Sequence, residues 1–215
     1  GHAIVIGQLL AARADADLKD ATGRGALMYA VHFDRADVVA KILSARGAVD
    51  EADEGGWTPL MLAVQGPFLT VLDRLLEARA STDVVAGNGC SALRLAADKG
   101  EFKVVAKLLE ARALVDQVDD LGHSPLLLAA MGGHTKAVAS LLRSEAAVDH
   151  AMQGGKSAVM FAAEFGHTDV LDLLLRARAS LDRTTGSGED ALKLAEKNGR
   201  HRVADRLREA LAGRG

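Results

Sequence analysis

Two kinds of apolar run alternate along the chain. In the first, about eight residues rich in leucine and alanine follow a threonine, serine or aspartate such as Thr58 and stop near a glycine such as Gly100. These residues favour the start and the end of a helix, respectively. In the second, apolar residues recur at helical spacing between charged ones, as at Val104, Val105 and Leu108. The pattern predicts pairs of helices, a short inner helix that is largely buried and an amphipathic outer helix.

These helix pairs recur with a constant period. Six inner strings start 33 residues apart, with no insertion or deletion between them. The strings are GALMYA, TPLMLA, SALRLA, SPLLLA, SAVMFA and DALKLA, starting at residues 25, 58, 91, 124, 157 and 190. A fixed period of this length indicates a solenoid, in which each unit contacts only its neighbours.

A period of 33 with a T-P-L-x-x-A core resembles the ankyrin repeat family over nearly the whole chain. The resemblance implies an all-α repeat solenoid, a stack of helix-turn-helix units joined by β-hairpin-like loops. It also implies that hairpin tips and a concave face of inner helices bind other proteins. One domain is expected over residues 1–215: a partial repeat (1–19), full repeats (20–52, 53–85, 86–118, 119–151 and 152–184) and a C-terminal capping repeat (185–215).

Residues 1–19 match the second half of a unit, so we expect a longer parent protein. The resemblance implies a protein-binding scaffold, with no catalytic residue, cofactor or metal. The alternative is the regulatory or targeting arm of a larger enzyme or channel, and the residues that precede Gly1 in the parent would distinguish the two.

Each outer helix is followed by a second periodic signature. An arginine stands where the family usually has glycine, and an aspartate follows four residues later. The series are Arg13, Arg46, Arg79, Arg112 and Arg178, interrupted by Glu145, and Asp17, Asp50, Asp83, Asp116, Asp149 and Asp182. We interpret the aspartates as a structural ladder between units; an anion-binding or modified edge is the alternative.

Composition narrows the class of partner. The net charge is −3 with acidic and basic residues interspersed, so no basic field is present to hold nucleic acid. No apolar run has the roughly 18 residues of a membrane span. Because Cys90 is the only cysteine, the chain looks like an intracellular monomer of the cytoplasm or nucleus.

Some motifs imitate chemistry that the repeat itself explains. Two G-x-G-x-x-A strings at 87–92 and 186–191 look like dinucleotide fingerprints, but no buried strand precedes them. Cys90 and His123 follow hairpin glycines in adjacent units, with no third group to orient them as a nucleophilic pair. His134 and His167 follow turn glycines and are interpreted as loop-stabilising residues.

Positions that vary between units remain as candidates for partner binding. They form two tracks, one after each hairpin glycine and one at the end of each inner helix. The candidates are Arg24, Trp57, Cys90, His123 and Lys156 on the first track, and His32, Phe33, Gln65, Lys99, Met131 and Phe165 on the second.

We take Trp57 as the main anchor, helped by Phe33, because large aromatic residues often dominate interfaces. The alternative is that Trp57 folds over its own hairpin. Acidic residues surround these tracks at 50–54 and at 116–120, which favours a protein or peptide with basic and apolar residues.

Overall fold

The computed structural model describes residues 3–45, 47–66 and 68–213. Over these residues the chain forms thirteen α-helices and two isolated antiparallel bridges, which confirms the all-α repeat solenoid. A single outer helix comes first, and six pairs of inner and outer helices follow it. The helices are α1 (Ala3–Ala11), α2 (Ala26–His32), α3 (Ala36–Ser44), α4 (Pro59–Gln65), α5 (Leu69–Glu77), α6 (Ala92–Asp98), α7 (Phe102–Glu110), α8 (Pro125–Met131), α9 (Thr135–Arg143), α10 (Ala158–Phe165), α11 (Thr168–Arg176), α12 (Ala191–Lys197) and α13 (His201–Ala212).

The core runs the length of the stack, between the inner and outer layers. Each inner helix packs against its own outer helix and against the inner helices of the neighbouring units. Leu126 and Leu127 of α8 and Val138 of α9 are nearly inaccessible to solvent. The small side chains Ala129 and Ala130, also buried, let neighbouring inner helices approach closely.

The predicted helix caps form in four of the five units that carry a suitable residue. Thr58, Ser91, Ser124 and Asp190 each accept a hydrogen bond from the backbone N–H three residues later. Ser157 stands at the equivalent position, but its buried Oγ has no hydrogen-bond partner.

Both predicted turns require a left-handed residue, and the structure has one in each described turn. After the inner helices, Gly100, Gly133, Gly166 and Gly199 have φ between +66° and +85°, and Asp34 takes the same region at +52°. Asp34 therefore keeps the turn of the first pair. Pro67, which stands at the equivalent position of the next pair, lies outside the described residues.

After the outer helices, Arg13, Arg79, Arg112, Glu145 and Arg178 all have φ between +60° and +65°, and Arg46 lies outside the described residues. Each costs about 1 kcal/mol relative to glycine. Glu145 adopts the same left-handed conformation although its side chain is negatively charged. The fold therefore requires this conformation whatever the charge of the residue.

The aspartate series forms the predicted ladder between units. Five of the six carboxylates accept a hydrogen bond from the backbone N–H 31 residues later, at 2.7–2.9 Å. The bonds join Asp17 to Ala48, Asp50 to Ser81, Asp83 to Leu114, Asp116 to Ala147 and Asp149 to Ser180. The structural interpretation of these residues is confirmed.

Hydrogen exchange is expected to be fastest at the N-terminal end of the described chain and slowest in the interior units. No residue of α1 is buried, and Ile4 is 76% exposed, whereas interior helices have neighbours on both sides. Amide exchange followed by mass spectrometry measures this order. Slower exchange in α1 than in α8 would contradict it.

The caps provide a matched pair of substitutions. Ser124→Ala removes a hydrogen bond to the Leu127 N–H and is expected to lower the free energy of unfolding by about 1 kcal/mol. Ser157→Ala removes a buried hydroxyl that has no hydrogen-bond partner, so we expect the free energy of unfolding to rise slightly. Urea unfolding of both variants measures the difference, and equal losses would be inconsistent with the cap geometry.

Candidate functional site

The inner face, defined here as the hairpin loops together with the C-terminal ends of the inner helices, carries most of the predicted residues. Their exposure differs widely. The exposed candidates are His32, Phe33, Gln65, Lys99 and Phe165. The half-buried candidates are Arg24, Trp57, His123, Met131 and Lys156, and Cys90 is buried.

Three of these residues line one groove on the inner face. His123, Met131 and Lys156 surround a volume of about 580 Å³ together with Met152 and Phe161. The Lys156 Nζ lies 5.6 Å from the centre of the Phe161 ring. Phe161 was not among the sequence-predicted candidates, because the equivalent inner-helix position carries leucine or an aromatic residue in every unit.

Phe165 adds an aromatic surface beside Phe161. It is 43% exposed, and its ring stacks on Phe161 at 6.4 Å and on His167 at 6.2 Å between ring centres. The C-terminal half of the inner face therefore combines an apolar groove with an exposed aromatic side chain.

Trp57 is less exposed than the sequence analysis assumed. It is half-buried and packs against the core, and its backbone N–H donates to Asp53 Oδ1 at 3.0 Å. Phe33 is 66% exposed but lines a different groove, beside residues of α1. This groove does not include Trp57.

Cys90 and His123 are engaged separately. Cys90 is only 4% exposed, and its Sγ lies 3.8 Å from the carbonyl oxygen of Ser91. The imidazole Nδ1 of His123 lies 3.0 Å from Asp119 Oδ2. Because Cys90 is buried, we leave it out of the surface that a partner could contact.

Most of the acidic residues of the hairpins at 50–54 and 116–120 take part in hydrogen bonds and ion pairs within the structure itself. Asp53 accepts hydrogen bonds from the N–H groups of Gly55 and Trp57 and pairs with Arg24 at 3.2 Å. Its side chain is only 8% exposed. Asp50 belongs to the ladder and therefore also has a structural role.

Asp119 repeats this arrangement in another hairpin. Its carboxylate accepts from the His123 N–H at 2.8 Å and pairs with Arg94 at 2.7 Å. Burial acts to raise the pKa of the Asp119 carboxyl, but the backbone N–H and ring of His123 together with Arg94 bring the pKa below its ordinary value. Its stabilising effect is therefore present at neutral pH and is lost as acid protonates it.

Two predicted histidines stabilise turns between units. Nε2 of His134 lies 2.9 Å from the carbonyl oxygen of Asp98, and Nε2 of His167 lies 3.0 Å from that of Met131. The two contacts confirm the loop-stabilising interpretation.

Two candidates also contact each other across units. Lys99 Nζ donates to the carbonyl oxygen of Gln65 at 2.6 Å. This contact engages the end of the Lys99 side chain within the protein.

Within residues 3–45, 47–66 and 68–213, no group of three or more histidine, cysteine, aspartate or glutamate side chains is arranged to hold a metal ion. None of the helices described there is long and apolar enough to cross a bilayer.

The structural role of Asp53 can be tested against its neighbour. Asp53→Ala is expected to lower the free energy of unfolding by about 1–3 kcal/mol, because two backbone N–H groups and Arg24 lose their acceptor. Glu54→Ala, at the exposed adjacent position, is expected to change it by less than about 0.5 kcal/mol. Chemical unfolding of the two variants tests this, and equal stability would show that Asp53 is not structural.

Comparisons with known proteins agree with this architecture. The family model for ankyrin repeats matches three overlapping segments, residues 1–86, 65–152 and 93–185. No curated protein matches the chain. Since the three segments together cover residues 1–185 of 215, the chain belongs to the ankyrin repeat family.

Proposed function

We propose that this protein binds a polypeptide partner on its inner face, with the groove around Met131 as the main contact. Ankyrin repeats are generally modules of protein–protein interaction. The observation that carries the proposal is that His123, Met131 and Lys156, each predicted for partner binding, line a single groove.

The groove combines apolar walls with charges that are paired. Met131, Met152 and Phe161 supply the apolar surface. Lys156 pairs with Glu164 at 2.6 Å, and Glu189 pairs with Lys197 at 2.7 Å. An apolar side chain of the partner would fill the groove without having to neutralise an isolated charge.

Basic residues of the partner would be attracted by exposed acidic side chains on the hairpins of the inner face. Asp120 lies on a neighbouring hairpin and is exposed, and Glu54 is exposed on an earlier hairpin. On the same hairpins, Asp53 and Asp119 are held by the hydrogen bonds and ion pairs of the fold. The partner class is therefore a peptide or protein surface that combines apolar with basic residues.

The proposal predicts that Met131→Glu weakens peptide binding at least about tenfold without unfolding the protein. Glutamate is tolerated at this position, since Glu164 occupies it one unit later. A displayed library of random peptides is selected on the wild-type protein, and dissociation constants of enriched peptides are measured for the wild type and the variant. The carboxylate of Glu at position 131 would lose its hydration when an apolar side chain of the partner fills the groove, and this loss disfavours binding.

A matched control separates the groove from general surface effects. Leu114→Glu makes a similar change at a side chain that is 56% exposed in the loop after α7, and binding should stay within about twofold. For peptides long enough to reach Trp57 along the inner face, Trp57→Ala should weaken the free energy of binding by about 2 kcal/mol. Peptides that bind Met131→Glu as tightly as the wild type would place the site elsewhere.

A further inference from the structure

A separate groove lies between the turns that precede α11 and α13, at the edge of the inner face. It has a volume of about 450 Å³, and its lining includes Phe165 and Thr168 from one turn and Arg200, His201 and Arg202 from the other. None of the described residues that line it is acidic, although the net charge of the chain is −3. We call it the basic groove.

Arg200 stands where the two preceding units carry histidine. Nε2 of His134 and Nε2 of His167 lie 2.9 and 3.0 Å from the carbonyl oxygen of a residue at the end of an inner helix. Nε of Arg200 donates to the equivalent carbonyl oxygen, that of Glu164, at 3.1 Å. The turn therefore uses one nitrogen of the guanidinium. Its two terminal nitrogens make no hydrogen bond or ion pair with any residue that the structure describes, so they can donate to a ligand.

The next two residues add further basic side chains without a structural role. The side chains of His201 and Arg202 are exposed, and neither has a hydrogen-bond or ion-pair partner within the described chain. In the preceding unit the equivalent residues are Thr168 and Asp169. No other unit has a basic residue at all three positions that Arg200, His201 and Arg202 occupy. These side chains do not recur with the period, so the scaffold does not require them.

The acidic side chains of the adjoining helices do not neutralise the basic groove. Glu164 pairs with Lys156 at 2.6 Å, and Asp172 pairs with Arg206 at 2.7 Å. Asp169 is exposed, does not line the groove and forms no ion pair with the residues that the structure describes. A guanidinium with unused donors binds a carboxylate through strong, charge-assisted hydrogen bonds. The groove therefore favours an anionic group.

A pair of aromatic rings connects the basic groove to the groove around Met131. Phe165 lines the basic groove, and its ring stacks on Phe161, which lines the groove around Met131. The two ring centres lie 6.4 Å apart. Because an extended peptide advances about 3.3 Å per residue, about two to four residues are enough to reach from one groove to the other.

We propose that the basic groove binds a carboxylate of the polypeptide partner. The carboxylate belongs to an aspartate or glutamate about two to four residues from the apolar side chain that fills the groove around Met131. This inference rests on the proposed function, which supplies the polypeptide. The inner helices run from the hairpins to the turns. The partner therefore crosses them with its acidic residue at the turns and its basic residues toward the hairpins that carry Glu54 and Asp120.

The test measures how peptides from the displayed library, selected on the wild-type protein, bind to variants of the basic groove. Arg200→His keeps the turn contact that His134 and His167 make, and it removes the unused donors. Arg202→Asp introduces the residue that the preceding unit carries at this place. Each should raise the dissociation constant at least about fivefold, since charge-assisted hydrogen bonds are lost. Replacing the acidic residue of the peptide with its amide should cause a similar loss and remove the sensitivity to Arg202→Asp.

Lys103→Asp is the matched control, because Lys103 is exposed at the place of Arg202 in an earlier unit and lines neither groove. Its dissociation constant should stay within about twofold of the wild-type value. Peptides whose affinity falls with Met131→Glu but not with Arg200→His or Arg202→Asp would overturn this inference and leave the proposed function intact. The reverse pattern would support the basic groove and overturn the site around Met131. Tighter binding of inorganic phosphate than of the acidic peptides would also overturn the inference, because the occupant would then be a free anion.

Discussion

The hydrogen bond that a ladder aspartate accepts from a backbone N–H of the next unit sets the geometry on which the rest of the structure depends. The carboxylate of Asp83, for example, accepts the Leu114 N–H at 2.9 Å, and the same bond spans 31 residues at five places. A hydrogen bond to a charged acceptor contributes more than one between neutral groups, about 1.5–3 kcal/mol. It forms only if the loop after the outer helix turns at a left-handed residue two positions earlier, such as Arg112. An insertion between the two partners would break the bond, which gives a physical reason for the constant period.

Because the ladder fixes the backbone of the units, side chains that differ from unit to unit are found mainly on the inner face. The hairpins are held by hydrogen bonds within and between units, such as Gly87 N–H to the Gly55 carbonyl at 3.1 Å. The side chains between these bonds can change without moving the backbone. His123, Met131 and Lys156 belong to three different elements, yet they meet in one groove because the units are in register. The groove is therefore a property of neighbouring units, and no single repeat contains it.

The sequence predicted the local structure well because local structure depends on residues close in the chain. Four caps, the left-handed glycines and the aspartate ladder follow from single residues at fixed offsets. Burial at the site depends on the neighbouring unit, so the exposure of Trp57 was overestimated. The role of Asp53 did have a signal, because Asp20 lies 33 residues before it and Asp119 lies two periods after it. Periodic recurrence marks scaffold positions, whether they are apolar or charged.

The two ends of the described stack differ in chemistry although the units share one fold. In α12, Lys193 and Glu196 are exposed, whereas the equivalent Met160 and Ala163 of α10 are buried, and α13 adds ion pairs such as Arg208 with Glu196 at 2.6 Å. At the other end, Tyr29 and Phe33 are exposed on the opposite face of α2 and at its C-cap. Charged residues keep their hydration at an uncovered face, whereas exposed apolar area favours a further contact. The side chains on each face of an inner helix, rather than the repeat itself, therefore determine whether that face favours water or a further contact.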